Sequence, residues 1–358
     1  TTTAPATTTT APTTTTIEPT TTTTAPTTTT TTTNSTQPQI AVPDGFAGHA
    51  GTTGGGNATP ITVSSASEFK SAVSGSDAAV IYVDGFLNVG NVSIGSNKTI
   101  VGMTESSGLG GGKIAVNGSN YIFQNLIFGP GSSDVMEVSG GSNVFITKCE
   151  FHDCGDELLS IVRGADYVTV SWCKFYFEET HDHALAHLIG NSDSATGDRG
   201  KLHVTMHHNW YAEGVRSRMP RVRFGQVHIY NNFYNSVGNA YTIGVGKECH
   251  IRLENSHFDN VNKPWNDMGG ADNGEMGWDN LIFEGCSQPT FISNSYPTFN
   301  PPYSFSPDPV ENVESIVRAG AGNKSGMTTT TTASLTTTTT ASSTTTTVSG
   351  SGIVIQEN

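Results

Sequence analysis

Six eight-residue runs recur through the middle of the chain, and their spacing restricts the fold more than any other feature. Tyr121 to Phe128, Val144 to Phe151, Val168 to Phe175, Val204 to Tyr211, Val227 to Tyr234 and Ile251 to Phe258 each alternate apolar residues, pass through a polar turn and close on an aromatic. Their sixth positions are Leu126, Cys149, Cys173, Asn209, Asn232 and Ser256, at steps of 23, 24, 36, 23 and 24 residues. A unit of this size is too short for a four-stranded propeller blade and suits one turn of a coil. The expected class is all-β, a right-handed single-stranded parallel β-helix, in which each strand bonds to the turn above and equivalent positions stack about 4.8 Å apart. Asn209 over Asn232 is then an amide ladder. Cys149 over Cys173 is either a pair of small core residues or a disulfide. The 36-residue step holds an insertion of about a dozen residues, and a further turn is expected to end at Cys286.

Composition delimits the part that folds. Residues 1–38 are Thr runs broken by Pro and Ala, and residues 327–348 are Thr runs broken mainly by Ala and Ser. Neither can bury a core, so both read as O-glycosylated linkers. Residues 39–326 form the expected β-helix domain, with one short helix around Ala66 to Val73, and the tail 349–358 reads as the start of another module. The chain begins at Thr1 without an initiator Met, as a processed or excised piece would. No apolar run reaches 18 residues, so no membrane span is expected. The linkers and the Asn-x-Ser/Thr sequons at Asn34, Asn57, Asn91, Asn97, Asn117 and Asn323 point to a secreted, extracellular glycoprotein. A monomeric domain within a multidomain protein is expected. Five cysteines do not fix the compartment.

Charge then locates a site. Arg216, Arg218, Arg221 and Arg223 crowd eight residues of a chain that has 17 Lys and Arg in all and a formal net charge of −14. A polyanion is the natural partner of such a cluster. Nucleic acid is not, because the broad basic field that phosphate recognition needs is missing. Asp134, Asp156, Asp193 and Arg218 precede Cys149, Cys173, Asn209 and Asn232 by 15, 17, 16 and 14 residues, which predicts one longitudinal strip. Carboxylates one turn apart repel unless a cation lies between them, and hard oxygen ligands suit Ca²⁺. Arginines on neighbouring turns would bind carboxylates through paired hydrogen bonds, completing a groove for an acidic polymer.

The segment Arg218-Met219-Pro220-Arg221-Val222-Arg223 resembles the Arg-x-Pro-x-x-Arg hallmark of the pectate lyase family, polysaccharide lyase family 1. Phe224 to Asn232, Val168 to Trp172, Thr53 to Gly56 and Ala319 to Gly322 resemble that family as well, so the likeness runs from about residue 53 to 322. The resemblance implies a parallel β-helix that cleaves α-1,4-linked polygalacturonate, or pectate, by calcium-assisted β-elimination. It makes Arg218 the base at C5 of the sugar and Arg223 a substrate-carboxylate ligand. Arginine is ordinarily protonated at pH 7, so that role calls for alkaline conditions or a strongly perturbed site. Arg221 and Arg216 carry only a charge argument for substrate binding. By the same resemblance Asp134 and Asp156 are calcium ligands. The family's third carboxylate falls at Ser160, a weaker neutral ligand for which Glu157 or water can substitute. The family's substrate-binding lysine falls at Leu185, with His181, Asp182, His183 and His187 as nearby replacements; His181 and His183 lack a companion set for zinc. The alternatives are a calcium-independent pectin lyase acting on methyl-esterified pectin, or a non-catalytic carbohydrate-binding β-helix.

Overall fold

A repeated backbone corner sets the shape of the molecule. Asn125, Lys148, Trp172, His208, Asn231, Asn255 and Asn280 all lie in the left-handed region, with φ between 45° and 55°. The first six each stand one residue before a position of the predicted column, and Asn280 one before Leu281, where the chain leaves one strand for the next. Asparagine tolerates this backbone better than other side chains, which accounts for its recurrence there. The computed structural model describes residues 37–268 and 274–324. The Thr-rich segments and the tail expected from composition lie outside those residues, apart from Gln37 and Pro38.

Among the described residues, the strands form three parallel sheets of ten, nine and eight strands. One turn contributes Ser142–Thr147 to the first, Glu150–His152 to the second and Glu157–Val162 to the third. The result is the expected parallel β-helix. Val144 pairs with Tyr121 and Val168, Val168 with Val204, Val204 with Val227, and Val227 with Ile251. This is the register that the spacing of the six runs predicts. The coil also continues past both ends of the recognised repeat. Upstream, Tyr121 pairs with Lys98 at the usual step of 23, whereas Lys98 pairs with Ala79 and Ile81 with Ile61 at steps of 19 and 20 residues that escape the period. Downstream, His257 pairs with Ile282, so Leu281 takes the column position and Cys286 lies five residues beyond it.

The column is a continuous core. Leu126, Cys149, Cys173, Asn209, Asn232 and Ser256 are all completely buried. All five cysteines are free thiols, so the Cys149 and Cys173 pair is packing and not a disulfide. The aromatic closing each run stacks on the next: Phe128, Phe151, Phe175, Tyr211, Tyr234, Phe258 and Phe283 have successive ring centroids 4.5–5.3 Å apart. Such pairs add about 0.5–1.5 kcal/mol each beyond area burial. The amide ladder is also present. Asn232 accepts from the Asn209 backbone N–H at 2.7 Å and donates through Nδ2 to the Met206 carbonyl at 2.9 Å. Asn209 repeats the pattern with Cys173 N–H and the Val170 carbonyl.

Segments outside the coil brace it. Helix α1 (Gly45–His49) lies on the ten-stranded sheet, where Thr205 and Thr169 hydroxyls accept from Phe46 and Ala47 N–H. Helix α2 (Ala66–Ala72), capped reciprocally by Ser65 and Glu68, buries Phe69 at the first turns. Helix α3 (Val313–Gly320) packs Val313 and Val317 on Phe233. Close by, the Asn323 side chain is buried and donates to Thr104 and Glu105 carbonyls, which corrects its reading as a glycan acceptor. No helix among the described residues is long and apolar enough to cross a membrane.

Two stability predictions follow from this packing. Asn232→Ala leaves the Asn209 N–H and the Met206 carbonyl without partners in a dry core, at a cost of about 2–5 kcal/mol readable by denaturant unfolding. Burial alone would raise the Glu254 carboxyl, but hydrogen bonds from His228, Arg252 and Tyr296 at 2.7–2.9 Å outweigh it and pull the pKa down to about 2. A depressed carboxyl stabilises the fold above its unfolded pKa and loses that contribution as pH falls through the folded one. On the order of 3 kcal/mol should therefore disappear between about pH 4.5 and 2, and Glu254→Gln should flatten that part of the stability profile.

Candidate active site

The charged groups lie on the third sheet and on the segments that enter and leave its strands. Arg221–Val222 pairs with Leu188–Ile189 on one side and Gly244–Val245 on the other. Val222 enters the core, leaving Arg221 on the outer face. Two turns before Arg221, Glu157 stands opposite Leu185, and Leu185 in turn opposes Ser217. That register brings Arg218 against Glu157, and the Arg218 Nη1 donates to the Glu157 carboxylate. Arg218 has φ of +62°, a conformation that costs a residue with a side chain about 1–2 kcal/mol. Strain of this kind gathers at functional positions. Arg223 is buried, donating to Asp193 and, at 2.9 Å, to the Gly190 carbonyl. Arg216 sits 3.5 Å from Asp182 in an exposed pair worth little energy.

Beside the arginines lie three acids. Asp134, Asp156 and Glu157 each place a carboxylate oxygen within 4.8 Å of the others. Asp134 is opposite Glu157, whose backbone N–H donates to Asp134 Oδ1 at 3.4 Å. Burial, above all, raises the Asp134 carboxyl, with Glu137 and Asp156 adding to the effect and the Glu157 N–H opposing it. Burial likewise pushes Glu157 up to about 8; Arg218 opposes that rise, while Asp156 and Asp134 add to it. One guanidinium does not compensate three neighbouring carboxylates in a half-dry setting. The oxygen donors and their raised affinity for positive charge fit a hard divalent cation such as calcium.

The predicted strip thus holds for Asp134, Asp156 and Arg218. Asp193 departs from it: the dozen inserted residues divide between the loops 178–184 and 191–202, and the second loop carries Asp193 to Arg223. Ser160 is buried three residues further along the strand than Glu157, between Glu137 and Leu188 in register, so the acid adjoining Asp134 and Asp156 is Glu157. Leu185 is buried between Glu157 and Ser217, an apolar side chain where the family resemblance places a lysine. His187 is a correction. It is enclosed in the coil between Phe175 and Tyr211, its Nδ1 donates to the Leu159 carbonyl, and burial holds its pKa near 3. A neutral ring sealed in the core cannot touch a polymer outside it. The exposed His183 instead approaches Asp156, at 3.5 Å.

The structural neighbours have the same architecture. A pectate lyase bound to hexasaccharide superposes with TM-score 0.67 at 22% identity, over 79% of this chain and 97% of that one. A Bacillus pectate lyase in complex with trigalacturonate gives TM-score 0.66 at 23% identity, over 78% and 98%. A family model described as pectate lyase matches residues 18–353. The chain belongs to the pectate lyase family. Among curated relatives, the pectate trisaccharide-lyase of Bacillus licheniformis is 33% identical over 301 residues, covering 78% of this chain and 85% of the relative. Pectate lyase A of Aspergillus niger is 37% identical over 245 residues, covering 63% and 73%. As a member of this family the protein is an enzyme, a lyase acting on polysaccharides.

Sequence spacing did not single out Asp182 or the Gly190 carbonyl as arginine partners. Both act through loops whose length the repeat does not set, and only the dense arginines hinted that acids must be near. Calcium titration by calorimetry tests the acid cluster directly. Glu157→Gln should weaken binding by about tenfold or more, the loss of one charged ligand among three, whereas Ser160→Ala should change it by less than about threefold.

Proposed function

We propose that the protein cleaves α-1,4-linked polygalacturonate by β-elimination, releasing oligogalacturonides with a 4,5-unsaturated end. The observation that carries this reading is Arg218, held in a strained backbone at the border between three clustered carboxylates and two further arginines. Arg218 takes the proton from C5 of a bound uronate, the C4–O4 bond breaks as the C4–C5 double bond forms, and the departing O4 takes a proton from water. A guanidinium accepts a proton only after losing one, so turnover should rise into the alkaline range. Arg223, fixed by Asp193 and Gly190, orients a substrate carboxylate through its remaining donors. Asp134, Asp156 and Glu157 would hold calcium, which when bound neutralises the uronate carboxylate and makes the C5 proton more acidic. Glu157 is also the carboxylate partner of Arg218, so a cation held by it would compete with that pair.

The Thr-rich segments on either side of the coil in sequence support a secreted, extracellular catalytic domain joined by linkers to further modules. A second reading is calcium-independent cleavage of methyl-esterified pectin, favoured by the apolar Leu185 beside the acid cluster. The test follows the ultraviolet absorbance of unsaturated product on polygalacturonate and on esterified pectin, each with and without chelator. Calcium-dependent release from polygalacturonate is expected, with Arg218→Lys lowering the rate by roughly 10²–10⁴-fold. Undiminished release from esterified pectin under chelation, with none from polygalacturonate, would overturn the reading in favour of the second.

A further inference from the structure

Three of the four clustered arginines already have a carboxylate: Arg216 has Asp182, Arg218 has Glu157 and Arg223 has Asp193. Arg221 differs. Among the described residues its guanidinium makes no ion pair or hydrogen bond, and its Nε is shut off from water without a partner. Its stem is nevertheless well seated. A Cβ on Gly244, the register partner one turn on, would come within 3.1 Å of both Arg221 Cγ and the Tyr241 ring, so the bare glycine leaves the space that these two side chains fill.

The surroundings make an unpaired cation here unfavourable. Burial first, and then the like charge of Arg223, lower the Arg221 pKa; Arg218 adds to this, while Tyr241 and Asp193 oppose it. A partly dehydrated guanidinium beside two others is short of an anion. Its planar fork matches a carboxylate through two parallel hydrogen bonds. Arg221 also lies three residues along the chain from Arg218, on the outer face of the strand that carries the groove.

We propose that Arg221 binds the free carboxylate of a uronate unit next to the scissile bond and thereby sets a preference for unesterified polymer. This rests on the reading of the groove as a polygalacturonate site. A methyl ester would remove the charge and leave the fork with no anion to pair, so Arg221 discriminates by charge and not by size.

The test uses the full chain carrying Arg218→Lys, so that bound sugar is not consumed, and measures calorimetric binding of trigalacturonate and of its trimethyl ester. Adding Arg221→Gln should weaken trigalacturonate about 30-fold or more, the scale expected when one partner of a buried charged pair is removed. It should leave the ester unaffected. Arg221→Lys should recover only part of the loss, because it restores charge without the fork, and it stands in if the Gln variant does not fold. Unchanged trigalacturonate binding, or equal losses for acid and ester, would overturn the proposal in favour of a packing role. An Arg218→Lys parent that binds no trigalacturonate would instead overturn the reading of the groove itself, and this inference with it.

Discussion

Hydrogen bonding between successive turns, in fixed register, is the constraint on which the rest of the structure depends. A parallel coil has no local hairpins to set its pairing, so side chains of one column must fit those above and below. The aromatic stack from Phe128 to Phe283 and the Asn209 and Asn232 ladder perform that selection, since a slip by one residue would expose rings and strand amides. Once register is fixed, residues distant in sequence become neighbours at no further cost. Asp134 meets Glu157, Glu157 meets Leu185, and Leu185 meets Ser217 beside Arg218.

The same stacking concentrates charge. On a coil, like residues at one phase of the repeat lie about 4.8 Å apart, and a surface that would be tolerable when spread out becomes strained electrostatically. Here three acids face one committed guanidinium, and a fourth arginine has no acid at all. Each imbalance is complementary to something outside the protein, a cation for the acids and an anion for Arg221. In a chain of net charge −14, grouping the few arginines beside one groove creates a local surface complementary to an acidic polymer.

Register was readable because alternation and a closing aromatic mark each turn with the same phase. The first turns were not, since their steps shorten and the closing aromatic is missing there. His187 was misplaced although its strand contained the answer: Ile189 faces the core, and residues two apart on a strand share a face, so His187 faces inward too. Asp193 fitted the arithmetic of the repeat but belongs to an inserted loop, where residue count no longer reports position. Cys286 was placed five residues too far along, because Leu281 holds the column position of the last turn and Ile282 and Phe283 follow it in register with His257 and Phe258.

The sequence by itself determined the coil, the pairing of its six central turns, the buried column and the presence of acids and arginines on one side. These follow from short-range periodicity, which a parallel stack converts directly into position. Only the tertiary structure decided which acid joins Asp134 and Asp156, which arginines are already paired and which is left open. Those outcomes depend on loop paths and on side-chain burial. Three residues along one strand separate Glu157 from Ser160, and no spacing along the chain records whether a guanidinium has found its carboxylate.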